Sequence, residues 1–334
     1  MCRADRFLAN NKVIRVNSIP SPETVRSDRI SAIELESGPA IRTAAEAMAG
    51  RGRDALKANA GSVIAAADAK SLCETFGIGA IEDLMALLVE TARLRARPPI
   101  SGFFVGAVGL EAVSGDLILG GNLEFPGTHL GFSVHGEGFV ATRAFSRGTG
   151  VEAIALRGAF PCGHCRQYLS EFAVGPALRL IDPRGNLLQL GDLYPSPFGP
   201  DALFEAAAAG DRISFPQIAL SADVPGELAE LLLYEGRHAH APYSRSPGAV
   251  VLMLKGGVPV SGASVESVAF NPTMPPLQAA LIDLLAHGFD YSDIETAALA
   301  TAVGGPVDYS RATAELLSVV APDVPLSVYA WRQI

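Results

Sequence analysis

Cysteine is scarce, with four in 334 residues: Cys2, Cys73, Cys162 and Cys165. Two stand alone and two sit three apart, which is not the even framework of a disulfide-stapled secreted domain. Basic residues are also few, 26 Lys and Arg against 35 Asp and Glu, for a formal net charge of −9. A surface of that sign repels phosphate backbones, so a nucleic-acid polymer is not the expected partner, whereas a small neutral molecule stays open. Long apolar runs are missing too. Ala249 to Leu254 is too short to cross a bilayer, and Met1 to Asn10 has charges with no apolar stretch behind it, unlike a signal peptide. The expectation is a cytoplasmic protein with no membrane partner. What is present is apolar bulk: 49% hydrophobic and 18% charged residues, enough for a substantial core.

Residues 1–38 are polar and interrupted by Pro20 and Pro22, which reads as a flexible extension. The Ala- and Leu-rich stretch 39–97 carries Leu84, Leu87, Leu88 and Leu94 at helical spacing and is expected to be helical. The character changes at Pro98-Pro99. Gly102 to Val108 and Leu117 to Leu119 are short apolar runs around a Gly115-Asp116 turn. Helical stretches begin near Ser133 and Pro161, with Ala153 to Leu156 and Leu178 to Ile181 as buried strands. Strands alternating with helices predict an α/β fold, a three-layer α/β/α sandwich over 98–188. A Pro/Gly-rich stretch opens a linker, 189–238.

The chain then repeats itself over 239–334. Gly248 to Leu254, a Gly256-Gly257 turn and Val258 to Val260 lead to Gly262, as the earlier strands and turn lead to Gly120. Aligning Gly120 with Gly262 places Glu124 on Glu266, and an ungapped count then places His135 on Leu277. No cysteine follows Cys165. The second copy is therefore expected to keep the architecture and lack a metal site.

The chemistry is concentrated in His135-Gly136-Glu137 and Pro161-Cys162-Gly163-His164-Cys165. Pro161 suits the first turn of a helix, which would put Cys162 and Cys165 on one face near the positive end of its dipole, where thiolate is favoured. One imidazole and two thiolates make three ligands for a tetrahedral zinc that activates a water at neutral pH. Glu137, two residues from His135, could move that water's proton without binding the metal. Each half alone is weak: a His-x-Glu tripeptide is common, and a Cys-x-x-Cys could be a redox pair or part of a closed structural site. His129 and His164 are the candidates for a closing fourth ligand, and a site so closed would make the chain a zinc-binding scaffold without turnover.

Together, H-x-E followed by P-C-x-x-C is the signature of zinc deaminases. With it the chain resembles the cytidine deaminase family, in its longer type with a degenerate second domain, from about Arg51 to Ala330. Ser101 to Ala107, Gly121-Asn122-Leu123-Glu124-Phe125, Cys162 to Gln167, Asp192 to Pro195, Phe198-Gly199-Pro200 and Ala269 to Thr273 carry the resemblance beyond the metal motif. It implies a cytidine-deaminase-like sandwich, duplicated; one zinc per chain; a free nucleoside as substrate; and a homodimer. It further implies that Asn122 and Glu124 hold the ribose hydroxyls and that Phe103 stacks on the base. The Gly136 N–H would meet the base carbonyl, the Phe160 carbonyl the leaving amine, and Phe198 would reach a partner's site. Three positions depart from the family pattern: Gly136 stands for the usual Ala, Gly138 follows where a polar residue is common, and Phe160 replaces a small polar residue.

Overall fold

The computed structural model describes residues 22–157, 160–172, 177–182, 186–203, 215 and 217–332. Along the chain run α1 (Pro22–Met48), α2 (Gly52–Lys57), β1 (Val63–Ile64), α3 (Ala66–Thr75), α4 (Ile81–Ala92), β2 (Gly106–Glu111), β3 (Leu117–Gly121), α5 (Gly136–Ser146), β4 (Val151–Leu156) and α6 (Gly163–Leu169). These are followed by β5 (Arg179–Ile181), β6 (Leu187–Gln189), α7 (Leu190–Leu193), α8 (Gly226–His238), β7 (Ala249–Leu254), β8 (Val258–Ala263), α9 (Pro276–Ala286), β9 (Ile294–Thr301), α10 (Ser310–Val320) and β10 (Leu326–Ala330).

Two sheets result, in the orders β1-β3-β2-β4-β5-β6 and β10-β9-β7-β8. In each, a hairpin pairs antiparallel with the next strand, which pairs parallel with the one after it: β4 with β5, and β9 with β10. Both carry an irregularity near the end of the hairpin's first strand, at Leu110/Glu111 and at Met253/Leu254. The predicted α/β duplication is thus present down to its bulges.

The inner strands are largely buried because helices cover both faces, whereas the edge strands β6 and β10 have no buried residue. On the outer face of the first sheet, Leu84, Met85 and Leu88 of α4 pack with Val108, Leu119 and Ala155, and α1 lies over α4. On the outer face of the second sheet, Leu232 of α8 packs with Val251 and Ala298. The inner faces share one core, in which Phe139 and Val140 of α5 join Leu277 and Leu281 of α9.

Three expectations about boundaries need correction. Residues 22–38 are helical: Pro22 opens α1, the position where a proline's fixed φ and missing N–H cost nothing. Residues 1–21, the remainder of the expected extension, lie outside the described residues. The helix is anchored by Arg26 and Arg29, which both pair with the fully buried Asp83 of α4, and by Ile30, Ile41 and Ala45, which are buried against the same core. Finally, α4 and α8 are layers of the two sandwiches, so the first half begins before residue 98 and the second before residue 239.

Candidate active site

Two helix starts meet at the site. His135 is the N-cap of α5 and Cys162 the N-cap of α6, both with extended backbone, and Cys165 lies in the first turn of α6. Pro161 therefore precedes the helix by two residues and does not lie in its first turn, so Cys162 reaches the site from the cap and Cys165 from the helix. Each brings a different residue to one point: His135 Nδ1 is 3.5 Å from Cys162 Sγ and 3.4 Å from Cys165 Sγ. All three donor atoms lie within 4.8 Å of one another. A tetrahedral zinc with Zn–S near ~2.3 Å and Zn–N near ~2.0 Å requires N···S separations of about 3.5 Å. The donor set fits zinc. The two candidates for a fourth ligand are engaged elsewhere: His129 Nδ1 accepts the Gly131 N–H, and His164 Nε2 faces the Asn271 carbonyl at 3.3 Å.

The electrostatics match that reading. Hydrogen bonding from Cys165 and from His135 lowers the Cys162 thiol to about 3, making it a thiolate. The same contact with Cys162, aided by burial, pushes the Cys165 thiol up, and hydrogen bonding to Cys162 raises His135. One thiol thus carries the charge for the pair before a cation arrives. Glu137, in the first turn of α5, is 6% exposed, and burial raises its carboxyl above the usual carboxylate range. Its carboxyl also hydrogen-bonds with Cys165. A carboxyl that takes up a proton readily, beside the metal donors, is suited to carrying one.

The other expected residues sort into loops tied to this centre. Asn122, at the end of β3, accepts the Val105 N–H at 2.8 Å and donates to the Phe103 carbonyl at 2.9 Å. Glu124 accepts from the N–H groups of Ile100 (2.9 Å) and Ser101 (2.8 Å) and from the Ser101 hydroxyl (2.6 Å). Burial works to raise Glu124, but the two Ser101 hydrogen bonds and the Ile100 N–H hold it below its ordinary value. Phe103 is 64% exposed, and Phe198 is 44% exposed. Gln167 of α6 donates to the Phe198 carbonyl at 2.8 Å, and Phe160 is half-buried against the shared core.

Gly136 is buried; a Cβ there would stand 3.1 Å from that of Ala107. At Gly138 a Cβ would meet Met274 Cε at 3.4 Å. Met274 belongs to the second half, whose residues 271–275 close the back of the metal centre around a cavity of about 30 Å³ shared with His135 and Cys165.

Arg166 and Gln167 stood in the quoted motif without a role. Arg166 donates to the carbonyls of Pro161 (2.7 Å) and Leu193 (2.9 Å), holding the start of α6. Gln167 accepts the Tyr194 hydroxyl at 2.7 Å. Their place directly after Cys165 was the available signal.

The second copy has no counterpart. The pairing of Leu123 with Val134 recurs as Val265 with Met274, so the connection is two residues shorter there. His135 therefore corresponds to Pro275, the N-cap of α9, and not to Leu277, which takes the place of Glu137. The ungapped count missed this deletion.

Three protein donors are one short of a tetrahedral shell, the number that catalytic zinc sites use, so fold and site define a metal-dependent hydrolase of the α/β-sandwich type. Residues 79–177 and 190–314 both match the cytidine and deoxycytidylate deaminase zinc-binding region. A cytidine deaminase of Vibrio cholerae is 35% identical over 73% of this chain and 82% of its own length, and one of an Enterobacter species is 38% identical over 72% and 81%. The crystal structure of cytidine deaminase from Mycobacterium tuberculosis covers 35% of this chain and 96% of its own, at 31% identity and a TM-score of 0.32. The chain belongs to the cytidine deaminase family. It is a zinc-dependent hydrolase, and among its described residues no helix is long and apolar enough to cross a membrane.

Proposed function

We propose that this protein hydrolyses free cytidine and deoxycytidine to the uridine nucleosides and ammonia, as a step of pyrimidine salvage. The observation that carries the reading is Glu137, a buried carboxyl of raised proton affinity, beside a three-donor His-Cys-Cys set. His135, Cys162 and Cys165 would hold the zinc, which would supply Lewis-acid activation of a water. Glu137 takes one proton from the attacking water and delivers it to ring N3 as the water oxygen bonds to C4; it then moves the remaining hydroxyl proton to the amino group, and the C4–N4 bond breaks to release ammonia. The Gly136 N–H, at the first position of α5 where no intrahelical acceptor exists, binds the base carbonyl. The Phe160 carbonyl accepts from the leaving amine. Phe103 stacks on the pyrimidine, and Asn122 and Glu124 bind the ribose hydroxyls. Their carboxylate and amide already fix the Ile100–Val105 loop, so ribose contacts come from a preset frame.

Exposed Phe103 and Phe198 support a homodimer in which Phe198 reaches the partner's site. A modified or antibiotic pyrimidine nucleoside is the second reading, favoured by the departures from the family pattern at Gly136, Gly138 and Phe160.

Metal analysis with a nucleoside panel tests both. About one zinc per chain and loss of the cytidine absorbance support the first reading. Turnover confined to base-modified nucleosides would replace it with the second. Zinc without turnover of any nucleoside would sink both.

A further inference from the structure

Glu171 stands two residues beyond the end of α6, and its carboxylate is fully buried. Burying a carboxylate is costly unless it is paired or fully hydrogen-bonded. Here the partners come from the metal-free half: His240 Nε2 at 3.2 Å, the Tyr243 hydroxyl, and the Val268 N–H at 2.9 Å. His240 is itself fully buried. It occupies the place that Arg97 holds in the first half, since each forms a parallel bridge to the residue before the loop glutamate, Leu123 or Val265. Arg97, in contrast, turns outward to an exposed pairing with Asp290 at 3.7 Å. The second half has thus put an imidazole ring inside, facing α6, where the first half has a surface arginine.

Position gives this cluster a consequence beyond adhesion. Cys165 is delivered by α6, and His135 by α5. Their separation is fixed by how one short helix sits against the other. Arg166 and Gln167 tie the start of α6 to its own half, and Glu171 ties its end to the other. We propose that Glu171 is a positioning residue for the metal centre, clamped by His240, Tyr243 and Val268 so that α6 presents Cys165 to His135. On this view the metal-free half serves the reaction by holding the metal helix. The proposal rests on the zinc reading of His135, Cys162 and Cys165.

The test uses the full-length protein loaded with zinc or with cobalt, comparing Glu171→Gln and Tyr243→Phe with Asp283→Asn, which weakens a different contact between the halves. In both clamp variants, zinc release to a chelator should quicken about tenfold, the range typical for residues that orient metal ligands. The thiolate-to-cobalt absorption band should shift, and kcat for cytidine should fall about tenfold with KM within about twofold. Asp283→Asn should lower the melting temperature and leave the cobalt band and zinc release at wild-type values. If Glu171→Gln does not fold, Tyr243→Phe, which removes a single oxygen, decides alone. An unchanged cobalt band in a folded clamp variant, or an equal change in Asp283→Asn, would reduce Glu171 to ordinary interface glue and overturn the proposal. A wild-type protein that takes up neither metal would instead overturn the zinc reading, and this proposal with it.

Discussion

The two halves share a strand order, a bulge position and a loop clamp, yet among the described residues a three-donor set stands at the helix starts of the first half alone. Glu124 holds Ile100 and Ser101; Glu266 holds Tyr243 and Ser244 through the same three kinds of bond. Asn122 fixes the entry to β2 through the Val105 N–H, as Ser264 fixes the entry to β7 through the Gly248 N–H. A glutamate retained where there is no metal cannot owe its presence there to catalysis. It stabilises a loop. In the first half the proposed ribose-binding role would be added to that same clamp. The difference between the halves lies at the helix starts, where His135 and Glu137 stand against Pro275 and Leu277.

The sharpest way to break the comparison is at Glu137. Glu137→Gln keeps size and loses the proton carrier, so steady-state turnover of cytidine should drop by roughly 10³- to 10⁴-fold with zinc content unchanged. Leu277→Met in the second half, which keeps an apolar side chain of similar volume at this buried position, should leave turnover alone, and a matching loss would show that the halves are not divided as argued.

Next comes the pair that joins α5 to α9. Arg143 is fully buried and meets Asp283 at 3.1 Å. Asp283→Ala removes the carboxylate from a buried guanidinium that still donates to Asn59, Gly61 and Ser146, and should cost about 3 kcal/mol by denaturant unfolding, the low end for a broken buried pair. Burial works to raise Asp283, but Arg143 and His287 outweigh it and hold its pKa below the usual carboxylate value. A lowered folded pKa gives stability that is complete above the unfolded pKa, near ~4, and is lost as pH falls through the folded value. Melting curves from pH 5 downward should therefore fall more steeply for wild type than for Asp283→Asn.

Smaller effects separate the two clamps. Glu266→Gln should destabilise by about 1–3 kcal/mol without changing KM, whereas Glu124→Gln should do the same and also raise KM for the nucleoside. Equal kinetics for the two would remove Glu124 from the substrate. Smallest of all is Gly138→Ala. The added methyl meets the flexible end of Met274 at 3.4 Å and Val134 Cγ1 at 3.7 Å, both ordinary contacts, and a helical alanine replaces a glycine, so stability should rise by about 0.5–1 kcal/mol in thermal melts.

The metal donors were legible in the sequence because their spacing is local: two residues from His135 to Glu137, three from Cys162 to Cys165. The strand positions were legible because period and turn residues are local as well; the Gly115-Asp116 turn does separate β2 from β3. What escaped was set by contacts distant in the chain. α1 docks through Arg26 and Arg29 on Asp83, more than fifty residues away, and polar composition hid it. The two-residue deletion before Pro275 became visible only when Val265 was seen paired with Met274. Glu171 looks like a surface charge until His240 and Tyr243 are placed beside it.

The sequence by itself determined which atoms can bind zinc, that the sandwich occurs twice, and that only the first copy carries the ligands. Only the tertiary structure decided where His135 falls in the second copy, what Glu124 and Glu266 have in common, and which half secures the metal helix. The reason is physical: ligand type and helix caps follow from neighbours in the chain, whereas burial and electrostatic pairing depend on whatever folding brings alongside.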